Sequence, residues 1–156
     1  MILLEIIFIG WMATLAMTLF MRLCDWISPR NLNVINILSN MLPGVLDRSK
    51  EADPVRYKPL AIIVHYGIGI FFVLCYHLWR ITEGNAGDVS VTEPWILGFI
   101  LGTIGVAGWV LFLRVHPAPL PTVPWEIYLV CIFIGHIFFA FAMKAGYQYL
   151  EAFKLN

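Results

Sequence analysis

Four stretches of the chain, residues 2–23, 59–81, 95–115 and 125–149, are apolar almost without interruption. Each is long enough to cross a hydrocarbon core of roughly 30 Å, which takes about 20 helical residues. Polar positions collect in the connections, and one connection has a pattern of its own. In PRNLNVINILSNMLPG, Leu32, Ile35, Leu38 and Leu42 recur at helical spacing, with Asn31, Asn33, Asn36 and Asn40 on the other side. Ser28 followed by Pro29 reads as a helix start and Pro43-Gly44 as its end, which predicts a short helix over residues 29–42. It is expected to rest at the interface under the bundle, with a docking surface for a partner as the alternative. The pattern predicts an all-α integral membrane four-helix bundle, one domain over residues 1–156, with DRSKEADPVRYK as a solvated link.

Composition supports this and narrows the function. The 156 residues are 60% hydrophobic and 13% charged, with mean hydropathy +0.81, too apolar for a soluble domain. Span one lacks the basic segment of a secretory signal and carries Glu5 in its place, so a retained helix is expected. Zero formal net charge gives no reason to expect nucleic acid. Cys24, Cys75 and Cys131 have no CxxC spacing, and are expected to be small buried hydrophobes rather than a disulfide or metal set.

Charge also predicts orientation. Arg30, Arg48, Lys50, Arg56 and Lys58 lie between spans one and two, flanked by Arg22, whereas ITEGNAGDVSVTEP between spans two and three holds no Lys or Arg. The positive-inside bias then puts the first connection and the HPAPLPTVP link inside, and both termini outside. Trp11, Trp26, Trp79, Trp95 and Trp125 fall mostly towards span ends, where indoles anchor in the headgroup region. Gly10 with Ala13 on span one, and Gly98, Gly102 and Gly105 on span three, form small-residue stripes for close helix packing.

A two-plus-two repeat is suggested by GWMATLAMTLFMRL at Gly10 against GTIGVAGWVLFLRV at Gly102. In the other two spans His65, Gly69 and Tyr76 are echoed by His136, Ala140 and Tyr147. Ionisable groups at membrane depth are costly and usually face the bundle interior, which makes His65 and His136 the main candidates. Gly69, Tyr76, Ala140 and Tyr147 share their helix faces and are the candidate pocket residues. One reading is structural, with each imidazole bonded to a carbonyl, to a hydroxyl such as Thr14, Thr18 or Thr103, or to the other histidine. Others are haem b held axially by the two histidines, or a quinone or proton-coupled site. No set of catalytic carboxylates, nucleophile with base, or metal-ligand spacing is present in the sequence.

The order GWMATLAMTLFM, a short helix, HYGIGIFFVLCY and GHIFFAFA resembles uncharacterised families of small four-span bacterial inner-membrane proteins. That resemblance implies a four-helix membrane fold in a bacterial cytoplasmic membrane and brings no activity with it. The leading functional expectation is an accessory subunit or interaction module without its own catalysis or cofactor, contacting lipid and either another membrane protein or a second copy. The alternatives are a haem- or quinone-binding electron-transfer protein using His65 and His136, and a small transporter or channel.

Overall fold

A computed structural model describes residues 2–28, 31–46, 53–82, 92–117 and 121–154. Among the described residues five helices follow one another: α1 (Ile2–Ile27), α2 (Val34–Leu46), α3 (Pro54–Thr82), α4 (Glu93–Val115) and α5 (Trp125–Lys154). All but α2 are long and apolar enough to cross a membrane, so this is a multi-pass membrane protein with four spans. Most of the acidic loop after α3, the centre of the HPAPLPTVP link, and Arg30, Arg48 and Lys50 lie outside the described residues.

Packing order differs from chain order. α4 lies on α5, α5 on α1 and α1 on α3, while α3 and α4 scarcely meet. α1 is therefore the central helix, and its buried face, Ile6, Ile9, Gly10, Ala13, Thr14, Met17, Thr18 and Met21, repeats every three or four residues. Small residues set the approach of its neighbours. Gly10 sits 2.7 Å, measured from where a Cβ would stand, from the Ile70 Cα of α3, and Gly98 stands at the same distance from the Ile137 Cα of α5. Backbones in such contact gain dispersion energy that lipid-facing side chains cannot, since lipid offers no hydrophobic drive between helices. Outward-facing Leu3, Leu4, Ile63, Phe71, Trp95 and Phe99 are exposed as lipid contact requires. Cys75 is also exposed on this outer surface, not buried, whereas Cys24 and Cys131 are half-buried.

The short helix starts five residues later than Pro29, because Asn33 supplies the cap. Its Oδ1 accepts hydrogen bonds from the Ile35 and Asn36 amides at 3.0 and 3.3 Å, which satisfies two of the donors a helix start leaves open. The Leu32 amide, one residue earlier, donates to Asp25 Oδ1 at 2.6 Å and ties the segment to the end of α1. At its other end α2 runs through Pro43 to Leu46 instead of stopping at Leu42. Val34, Ile37 and Met41 are fully buried, so α2 is inserted under the bundle rather than laid along it. Asn33→Ala should cost about 1 kcal/mol of local stability and speed amide hydrogen exchange in α2 about fivefold, with the spans unaffected. Unchanged exchange would show that the tertiary contacts alone hold α2.

α3 is also longer than its apolar stretch. Asp53 Oδ1 accepts from the Val55 amide at 2.9 Å with Pro54 at the first helical position, so the helix begins before Pro59 and carries Arg56 and Lys58 on its polar end. Pro59, the sixth residue of α3, lies beyond the first turn and removes the backbone bond to the Val55 carbonyl.

The two hairpins are not copies in register. Mapping Gly10 onto Gly102 and His65 onto His136 carries the Gly10 contact with Ile70 onto Gly102 with Phe141. Gly102 instead meets Phe133, eight residues away, a slide of roughly 12 Å. In addition, α1 packs along α5 while its mapped counterpart, α4 on α3, is open. The matching His, Gly and Arg positions therefore do not reflect a shared packing geometry.

Candidate functional site

The gap between α3 and α4 is a cavity of about 420 Å³. Thr14 and Met17 of α1 form its back and Ile132, His136 and Phe139 of α5 a side wall, while Val34, Leu38 and Leu42 of α2 close one end. α3 contributes His65, Ile68, Gly69 and Phe72. α4 contributes Ile104, Gly105, Gly108, Trp109 and Phe112, a stripe at helical spacing. The walls are almost wholly apolar, and both central histidines line the space.

Their depths are comparable when α1 serves as a ruler. His65 contacts Thr18, and Gly135, one residue before His136, faces Met17. Gly10 on Ile70 and Gly146 on Ile9 widen the difference to about four α1 residues, so the histidines lie within roughly 6 Å of each other along α1.

Hydrogen bonding fixes which nitrogen of each ring carries its proton. Thr14 Oγ1 donates to the Gly10 carbonyl at 2.7 Å, and Thr18 Oγ1 donates to the Thr14 carbonyl at 2.7 Å. A hydroxyl has one hydrogen, and the shorter contact assigns it to the Thr14 carbonyl, so Thr18 accepts from His65, whose Nε2–H donates to Thr18 Oγ1 at 3.1 Å. His65 Nδ1 then holds a lone pair. In His136 the Nδ1–H donates to the Ile132 carbonyl one turn back at 2.8 Å, which leaves its Nε2 with the lone pair. Gly105 stands against the Cε1–Nε2 edge of that ring, and any side chain at 105 would collide with it. Gly69 plays the same part on α3, where its missing side chain leaves room for Thr14 Oγ1 and for Phe139 at 3.3 Å. These glycines let imidazole and hydroxyl groups approach helices closely.

Of the other residues singled out from sequence, Tyr76, Ala140 and Tyr147 do not line this cavity. Ala140 is fully buried between helices. The tyrosines belong to a second polar cluster at the end of the bundle where α3 finishes. Tyr76 Oη donates to Glu93 Oε1 at 2.5 Å, and Tyr147 Oη lies 3.4 Å from His77 Nδ1. Arg80, 8% exposed, stacks 5.3 Å from the Tyr147 ring centre and stands 3.8 Å from Glu151. This cluster ties α3, α4 and α5 together around the buried Arg80 guanidinium. Its members sit near the helix ends, so its ion pair is half in solvent and contributes little by itself.

His116 is occupied too, its Nε2–H donating to the Met41 carbonyl at 2.9 Å, which pins α2 to the α4–α5 connection. Among the described residues no group of three His, Cys, Asp or Glu side chains could hold a metal ion.

Sequence reading passed over Trp109, Phe112 and Arg80. Trp109 lies inside span three rather than at its end, as Trp11 does in span one, and that position is its only signal. Comparison with protein-family models, curated proteins and solved structures finds no match, so no family is identified and the site is read from its own chemistry.

Proposed function

We propose that the protein binds a lipid-soluble small molecule in the cavity between α3 and α4 and does not transform it. The observation that carries this reading is an apolar space of about 420 Å³ at membrane depth, walled by aromatic and aliphatic side chains, with two imidazoles converging on it. Small-molecule sites generally have this make-up, at roughly 300–1,000 Å³. The unclosed α3–α4 seam supplies a route from the acyl chains. Following the charge bias of the connections, α2 closes the cavity on the cytoplasmic side of a bacterial inner membrane, with both chain ends outside.

The accessory-subunit reading has less support. The surfaces it needed are occupied within the chain: Gly10 packs on α3, Gly98, Gly102 and Gly105 pack on α5, and the apolar face of α2 is buried. Haem b held by the two histidines is ordinarily ligated through the Nε2 lone pair of each ring. His65 presents its lone pair on Nδ1 and uses Nε2 on Thr18, so an organic ligand suits the rings better than iron.

Gly108 offers a direct test. It lies in the middle of the α4 lining stripe, and a Cβ built there meets nothing within 4 Å. Gly108→Leu should fold normally and fill the cavity. In lipid nanodiscs, a benzoquinone with a short alkyl tail should quench tryptophan fluorescence saturably in the parent protein. Gly108→Leu should weaken that binding at least about tenfold. Gly67→Leu, where a side chain also meets nothing within 4 Å but which does not line the cavity, should leave it unchanged. Equal binding by both variants, or quenching that never saturates, would remove the cavity from the account.

A further inference from the structure

The hydrogen-bonding groups that line the cavity are mismatched in number. Thr14 uses its hydroxyl hydrogen on the Gly10 carbonyl. His65 uses its N–H on Thr18, and His136 uses its N–H on Ile132. Each neutral imidazole has one N–H and one lone pair, and both N–H groups are committed inside the protein. What remains for a ligand is two imidazole acceptors, His65 Nδ1 and His136 Nε2, and the Thr14 oxygen lone pair, against one side-chain donor among the described lining residues, the Trp109 indole N–H.

Acceptors in an apolar space favour a partner that brings hydrogens. A molecule bearing only carbonyl or ether oxygens would place lone pairs opposite lone pairs and satisfy neither side, whereas a hydroxyl placed at either nitrogen completes a bond. The walls narrow the class further. Phe72, Trp109, Phe112 and Phe139 surround the histidines with aromatic faces and edges. Phe72 and Phe139 stand 6.1 and 6.4 Å from the His136 ring centre. Such surroundings suit a flat ring, which gains offset or edge contacts beyond its buried area.

From this, and resting on the binding reading above, we infer that the cavity selects lipid-soluble phenols, and among alkyl-substituted six-membered rings the hydroquinone over the matching quinone. Two imidazole acceptors on the walls of one cavity are matched by the two hydroxyls of a hydroquinone. The quinone can engage only Trp109, and the dimethyl ether of the hydroquinone engages nothing better. No electron or proton transfer is part of the proposal, which concerns recognition alone.

Thr18 determines the preference without lining the cavity. Its oxygen is the acceptor that holds the proton on His65 Nε2. In Thr18→Val, a close match in shape, that acceptor is gone, and His65 is free to offer an N–H to a ligand. The ligand set then becomes mixed, and the quinone gains a donor.

Three probes with the same alkyl tail, the hydroquinone, the quinone and the dimethyl ether, are to be titrated anaerobically into the nanodisc protein and followed by calorimetry. The hydroquinone should bind about tenfold or more tightly than the dimethyl ether and several-fold more tightly than the quinone, the spread expected for one or two buried hydrogen bonds. Thr18→Val should narrow the hydroquinone-to-quinone ratio towards one. Saturable binding of all three with equal affinity, or a preference for the quinone, would overturn the selectivity and leave the cavity-binding reading intact. Absence of saturable binding for every probe would overturn both. A hydroquinone preference that Thr18→Val leaves unchanged would overturn the assignment of His65 as the acceptor.

Discussion

A leucine in place of Gly98 is expected to prevent α4 from docking on α5. A Cβ at this position would stand 2.7 Å from the Ile137 Cα and 3.4 Å from the His136 carbonyl oxygen, both of them backbone atoms of the facing helix. A side-chain collision is relieved by a rotamer change, but a backbone collision is relieved only by moving the helix. Overpacking in a well-packed core costs about 1–3 kcal/mol, and a helix displacement lies at or above the top of that range. The unfolding midpoint in detergent should fall by several degrees at least, and the cavity should lose its α4 wall and its ligand binding together. Gly108→Leu is the matched control, the same helix and substitution with open space around it. If Gly98→Leu unfolds within about two degrees of the parent, α4 and α5 do not meet in this register.

Tyr128→Phe is expected to make the protein more stable. Tyr128 is fully buried near the start of α5, edge-on to Trp109 at 5.1 Å and Trp125 at 5.7 Å, and its hydroxyl has no hydrogen-bond partner among the described residues. A buried hydroxyl without a partner costs about 1–3 kcal/mol, and phenylalanine removes it while keeping the ring contacts. A gain of about 1–2 kcal/mol follows, read as a higher unfolding midpoint in detergent. A loss would mean that an ordered water or lipid group satisfies the hydroxyl in the membrane. Because Trp109 lines the cavity and touches Tyr128, ligand affinity in this variant also reports how far the wall depends on its support.

The spans were readable because lipid imposes a simple rule: every backbone polar group must be bonded within the segment, so long apolar runs have helix as their only answer. The ends were less readable, for a local reason. Asn33 and Asp53 compete with Ser28 and Pro59 as helix starts, and side-chain caps are worth about 1 kcal/mol each, so neighbouring contacts decide between them. His65 and His136 stood out as costly groups, and they do share a cavity. Tyr76 and Tyr147 were drawn into the same site by helical spacing alone. Spacing gives the face of a helix but not the height of a ligand. Three turns beyond the histidines, Arg80 and Glu93 supply nearer partners for both tyrosine rings.

From the sequence alone follow the membrane as solvent, the number of spans, the short helix between the first two and the two histidines as the groups that need explaining. Each is a property of one segment against lipid or water, and a segment carries that information in its own composition. Only the tertiary structure decided that α1 is central, that α3 and α4 part to leave a cavity, that the two hairpins slide out of register, and that Thr18 and Ile132 take the imidazole protons. These depend on which backbone can approach which, through glycines whose partners lie far away in sequence, as Gly146 on Ile9 does. Close packing is a relation between helices, and the apolar pattern of one helix is compatible with many such relations.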